Sequence, residues 1–82
     1  MRPTIDTRDR QMMTFLAHYL SQHGYAPSIR EVADATGFTS NSPVWTRLDR
    51  LRERGLVTWE PRKERTLRIV GDAGRWLPEV SA

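Results

Sequence analysis

Gly24, Gly37 and Gly55 punctuate the first two thirds of this sequence, and each follows a stretch whose apolar residues recur at helical spacing. Three helices are therefore predicted. The first opens at Asp6, which can cap the free N–H groups of the first turn, with Asp9 suited to the positive helix end. Met12, Met13, Leu16, Tyr19 and Leu20 then follow with helical period, with Phe15 and Ala17 beside them, up to His23. Tyr25-Ala26-Pro27 is an extended connector. Ser28-Ile29-Arg30-Glu31 is a capping box: the Ser28 hydroxyl accepts from the N–H of Glu31, and the Glu31 carboxylate accepts from the N–H of Ser28. The second helix runs from about Ile29 to Thr36 and presents Ile29, Val32 and Ala33 on one face. Gly37-Phe38-Thr39-Ser40 is a tight turn. Pro43 is tolerated only in a first helical turn, so the third helix starts near Asn41 or Ser42, with Val44, Leu48 and Leu51 as its buried stripe.

After Gly55 the period changes. Leu56-Val57-Thr58-Trp59 and Thr66-Leu67-Arg68-Ile69-Val70 read as strands joined by the polar loop Glu60 to Arg65, a β-hairpin. Three helices followed by a two-stranded hairpin is an α+β plan: a winged helix-turn-helix, its hairpin the wing. Residues 1–70 form this domain. Residues 71–82 show no clear period and are expected to be a C-terminal tail.

A chain of 82 residues has a thin core and little apolar surface left for a ligand pocket. Without cysteine it has neither disulfides nor a thiolate zinc site. His18 and His23 stand five apart with no third ligand in sight, so neither a metal nor a cofactor is expected. No nucleophile elbow and no phosphate-cradling glycine loop is present, and no enzymatic activity is expected. No stretch is apolar enough for a membrane span and the first ten residues lack a signal-peptide core, which points to a soluble cytoplasmic protein. The net charge of +3 is uneven: residues 1–41 carry four basic and four acidic groups, residues 42–70 eight and four. That imbalance suits a polyanion such as DNA.

The run Gln22-His23-Gly24-Tyr25-Ala26-Pro27-Ser28-Ile29-Arg30-Glu31-Val32-Ala33 resembles the second-helix signature of the LexA repressor family. Gly37-Phe38-Thr39-Ser40 is similar to that family's turn, Val44, Leu48, Leu51, Gly55 and Leu56-Val57 to the helix and strand after it, and Leu67-Arg68-Ile69 to the end of its wing. The resemblance spans about Ile5 to Val70 without a gap. It implies an N-terminal DNA-binding domain. LexA repressors continue into a dimerising peptidase domain that cuts its own linker with a serine–lysine pair. The single lysine here, Lys63, lies in the expected wing, so self-cleavage is not carried over.

The third helix is expected in the major groove. Turning 100° per residue from the buried stripe, Ser42, Thr46, Asp49, Arg50 and Glu53 point outward and Trp45 lies on the flank. Ser42, Pro43, Trp45, Thr46 and Arg50 are the base-edge candidates. The positions of Ser42, Pro43, Trp45 and Thr46 match those that read bases in the LexA family, but Trp45 stands where the family has an acidic residue or histidine, so a different operator is expected; Arg50 is expected to read guanine or hold phosphate. Trp45 offers no bidentate pattern. It packs on a thymine methyl or a sugar, or else leans back on the domain or meets a partner protein. Ser28, Arg30, Thr39, Ser40, Asn41 and Arg47, with Arg62, Lys63 and Arg65 of the wing, are candidates for the phosphate backbone. The competing roles are plain capping for Ser28 and Ser40, and surface ion pairs for the arginines, such as Arg50 with Asp49 or Glu53.

The expected function is a sequence-specific regulator of transcription, a repressor, bound to double-stranded DNA in the cytoplasm of a bacterium or, if phage-encoded, of its host. One domain this small contacts about 600–1,000 Å² of DNA, so pairing as a homodimer on a two-fold site is expected, with Trp76 and Leu77 helping to make the contact. The alternative is a protein–protein module that blocks or recruits a host or phage factor. Three tryptophans in so short a chain keep that reading open.

Overall fold

The computed structural model describes residues 6–63 and 65–77. Helix α1 spans Thr7–His23, α2 Ile29–Thr36 and α3 Ser42–Glu53; strands β1 (Val57–Thr58) and β2 (Arg68–Ile69) follow, and a 3-10 helix covers Ala73–Trp76. The helix boundaries lie where the caps put them. The Asp6 carboxylate accepts the Asp9 N–H at 2.8 Å. At α2 both halves of the capping box form: the Ser28 N–H donates to Glu31 Oε1 at 2.7 Å and the Glu31 N–H to Ser28 Oγ at 3.2 Å. Gly24 and Gly37 close α1 and α2 with φ of 75° and 82°, the left-handed conformation that glycine adopts without a Cβ penalty. Ser28→Ala removes one half of the box and is expected to destabilise the fold by about 1 kcal/mol, read as a shift of the urea midpoint at constant slope.

The core draws on every element. Met12, Met13 and Leu16 of α1 meet Val32 and Ala33 of α2 and the α3 stripe Val44, Leu48 and Leu51; Val57 and Leu67 close it from the hairpin. The wing is antiparallel, with Val57 opposite Ile69 and Thr58 opposite Arg68. Its ladder is shorter than the strand signals suggest, although the Val70 N–H still donates to the Leu56 carbonyl. The loop accounts for the difference. Pro61 has no N–H, Arg62 and Arg65 take positive φ, and the Thr66 hydroxyl accepts the Glu60 N–H at 2.9 Å, so the chain leaves the extended conformation before more rungs can form. Glu64 lies outside the described residues, as do Ile5 and positions 78–82.

Within the expected tail, residues 71–77 carry a short element that the sequence period does not show. The Asp72 carboxylate accepts the Gly74 N–H and starts the 3-10 helix, which packs against α1. Trp76 is buried at 4% exposure as part of the core. Its indole fills a place the thin three-helix core leaves open, so it is not available for the dimer contact expected of it. Leu77 is half-buried against the same cluster.

Candidate nucleic-acid interface

The turn Gly37–Asn41 sets α3 against α2, and the outer face of α3 stands clear: Ser42, Trp45, Thr46, Asp49, Arg50 and Glu53 are all exposed. Pro43 is half-buried at the start of the helix. The Thr46 hydroxyl donates back to the Ser42 carbonyl at 3.2 Å, which fixes its rotamer and leaves its methyl and oxygen at the surface. Asn41 is the N-cap residue of α3, with helical backbone angles and no side-chain cap bond. Ser40 therefore does not cap the helix, and Ser40, Asn41 and Thr39 are exposed at its positive end.

An open groove of about 480 Å³ lies between the N-termini of α2 and α3 and the wing. It brings together Ser28, Arg30, Asn41 and Trp45 with Arg62, Lys63 and Arg65, seven of the residues singled out in the sequence. A second hollow gathers Arg30, Thr39, Ser40, Asn41 and Ser42 at the helix-turn-helix corner. Pro43, Thr46, Arg47 and Arg50 line neither.

Arg47 is engaged within the protein. Arg47 donates to Asp9 Oδ1 at 2.8 Å and to Asp6 at 3.0 Å, so it joins the start of α1 to the middle of α3. Asp9 is buried, with 2% of its side chain exposed. A buried carboxylate is tolerated because this guanidinium meets it. Its hydrogen bonds to Asp9, then those to Asp6, hold Arg47 above the usual arginine range. Arg50 stands 3.8 Å from Asp9 and 3.9 Å from Asp6, half-exposed and free to turn outward. Its acidic neighbours are thus on α1, not the Asp49 or Glu53 of its own helix.

Arg65, expected at the wing tip, lies back over the body. It donates to the Ala26 carbonyl at 3.2 Å, to Glu31 at 3.1 Å and to the Tyr19 hydroxyl at 3.4 Å, tying the wing to α1 and α2. Arg62 and Lys63 are exposed at the tip, where Lys63 makes a loose 3.6 Å pair with Glu60. Such an exposed pair is worth little and opens readily.

The sequence reading missed Trp59, Arg52, Asp9 and Glu31 as parts of this region. Trp59 of the wing approaches Trp45 with ring centroids 5.5 Å apart, and the Arg52 guanidinium lies 4.5 Å from the Trp59 ring. A signal was present: Trp45 and Arg52 are seven apart, on one face of α3, and Trp59 follows only four residues after the Gly55 turn.

Acid should loosen these ties. The Asp6 carboxylate is held below its ordinary value, first by the Asp9 N–H and then by Arg47. Glu31 is held below its ordinary value first by the Ser28 N–H, with Arg65 adding to it. Both are more acidic in the folded than in the unfolded chain, so their contribution is complete above the ordinary carboxylate range and is lost as pH falls through the folded values. The melting temperature is expected to be flat down to about pH 5 and to drop below about pH 4. Thermal denaturation followed by circular dichroism across that range checks this; a rise in stability on acidification would contradict it.

Three helices with a short-turned α2–α3 pair, a hairpin wing and a polar, partly cationic face along α3 define a winged helix-turn-helix domain. The family model for the LexA DNA binding domain matches residues 3–66. Curated relatives include the LexA repressors of Acetivibrio thermocellus (35% identical over 72 residues, 88% of this chain and 34% of the relative) and Syntrophomonas wolfei (40% over 60 residues, 73% and 29%). That of Staphylococcus haemolyticus is 35% identical over 65 residues, 79% of this chain and 31% of the relative. The chain belongs to the LexA DNA-binding domain family. It spans about a third of the length of these repressors. Among the described residues no helix is long and apolar enough to cross a membrane.

Proposed function

We propose that this domain binds double-stranded DNA sequence-specifically and represses transcription by occupying its site, with α3 in the major groove and the wing on the backbone. The observation that carries this reading is the convergence of the exposed N-terminal part of α3, with Asn41, Ser42 and Trp45, and the cations Arg30, Arg62 and Lys63 on two adjoining hollows. Family membership supports it. Ser42, Trp45, Thr46 and Arg50 face base edges, with Pro43 setting the approach of the first turn. Arg30, Arg62 and Lys63, the hydroxyls of Thr39 and Ser40, and the Asn41 amide hold phosphates. Ser28 contributes as a cap, while Arg47 and Arg65 contribute by holding α3 and the wing in place. The contact area of one copy is small, so two copies occupy a two-fold site.

The test is the salt dependence of binding. Each phosphate contact removed lowers the slope of log K against log salt by about 0.9. The double variant Arg62→Ala/Lys63→Ala is expected to weaken binding to all duplexes and to lower the slope by about two for each bound copy. An unchanged slope would remove the wing from the interface. An absence of binding by the unmodified chain at low salt would remove DNA altogether.

A further inference from the structure

We propose that Trp45 is a preformed reader of the thymine 5-methyl group, held in its reading position by Trp59 and Arg52; this rests on the DNA-binding reading above. Three observations combine. Trp45 sits in the second turn of α3 and keeps 38% of its surface exposed, on the face that carries Ser42 and the α3–wing groove. Most exposed aromatic side chains are free to swing, but this ring is backed by Trp59 at a centroid distance of 5.5 Å and an angle of 58°, a tilted aromatic contact. Trp59 is itself half-buried against the core, and the Arg52 guanidinium lies 4.5 Å from the centre of its ring. These contacts among Arg52, Trp59 and Trp45 hold the exposed indole before any ligand arrives, so that part of the entropy of ordering it has been met in folding.

An indole has one N–H and a broad apolar face. It cannot match the paired donors and acceptors by which arginine reads guanine or asparagine reads adenine. Of the features exposed in the major groove, the thymine methyl is the one it recognises by contact, since the other groove edges present polar atoms that an apolar face would leave without partners. A rigid indole lying against that methyl excludes water from it. A cytosine in its place carries only a hydrogen where thymine has the methyl, so the apolar contact is lost. Trp59 and Arg52 are positioning residues. They touch no base and act through the orientation of Trp45.

The experiment uses the full 82-residue chain. A duplex is first recovered by selection from a random pool, then each thymine in turn is replaced by uracil, which deletes the methyl and keeps every hydrogen-bonding edge. The unmodified chain is expected to lose about fourfold in affinity at one thymine per half-site, the effect of burying a single methyl, and to be indifferent to the remaining substitutions. Trp45→Ala, folded by circular dichroism, is expected to bind thymine and uracil duplexes equally. Trp59→Leu keeps the Trp45 ring but removes its support, and is expected to show a thymine preference below that of the unmodified chain. A selected site bound equally well with uracil at every thymine would overturn the proposal while leaving DNA binding standing. A Trp45→Ala protein that keeps the full thymine preference would overturn it too. Failure to recover any sequence from the pool would overturn the reading on which it rests.

Discussion

Trp76→Ala is expected to destabilise this domain by about 3 kcal/mol or more, although the residue lies beyond the last strand in a stretch whose sequence carries no period. The indole is 4% exposed and belongs to the same cluster as Met12, Leu16 and Leu51. Its removal deletes the largest side chain of a small core and leaves a hole that the 3-10 helix cannot fill by collapsing, because that helix is anchored by the Asp72 cap. A domain of 82 residues has a total stability of roughly 4–12 kcal/mol, so the variant should be marginal near body temperature. Trp45→Ala provides the contrast. Its ring is 38% exposed and pairs with Trp59, and the expected loss is about 1 kcal/mol, the worth of one aromatic pair. Urea denaturation of the two variants side by side separates the tryptophan of the core from the tryptophan of the surface. Equal losses would contradict the assignment.

The second large effect is expected at Arg47. Arg47→Met keeps most of the aliphatic stem and removes the charge that meets the buried Asp9 carboxylate at 2.8 Å. Breaking a fully enclosed pair costs about 3–5 kcal/mol. Here about 2–3 kcal/mol is expected, because a quarter of the Arg47 side chain is exposed and Arg50, 3.8 Å from Asp9, can turn toward the vacated place. The double variant Asp9→Leu/Arg47→Met is expected to recover most of that loss, since the penalty of the single change lies in an uncompensated buried charge. A double-mutant cycle in urea measures the coupling. If the two losses simply add, the pair is not the tie between α1 and α3 described above. The salt slope of DNA binding by Arg47→Met should equal that of the unmodified chain, in contrast to the wing variants.

What the sequence made legible is what is decided locally. The cap at Asp6, the box at Ser28 and Glu31, and the left-handed ends at Gly24 and Gly37 each involve residues within three or four positions of one another, and the helices start and stop there. The helical period of Val44, Leu48 and Leu51 marked the buried face of α3 and, by subtraction, its exposed one. Most of the cationic and hydroxyl residues singled out also converge, since the helix-turn-helix brings them to one side once its three helices are placed. The missed arginine ties are contacts across long stretches of chain. Arg47 lies 38 residues from Asp9, and Arg65 lies 34 from Glu31 and 39 from the Ala26 carbonyl. In the sequence each of these arginines is one more cation on a basic half. Only packing decides that Arg47 and Arg65 are tied to other elements of the domain while Arg62 is exposed at the wing tip. Trp76 was hidden for a related reason: one large residue in a 3-10 turn has no period, and its burial follows from a gap in a core built by other elements.

The measurement that bears most directly on the central claim is fluorescence anisotropy of the chain on a random-sequence duplex pool over a salt series, with the bound DNA recovered and sequenced. Binding that weakens steeply with salt, together with a recovered two-fold motif, is the predicted result. No binding at low salt, or binding that enriches no sequence, would contradict it.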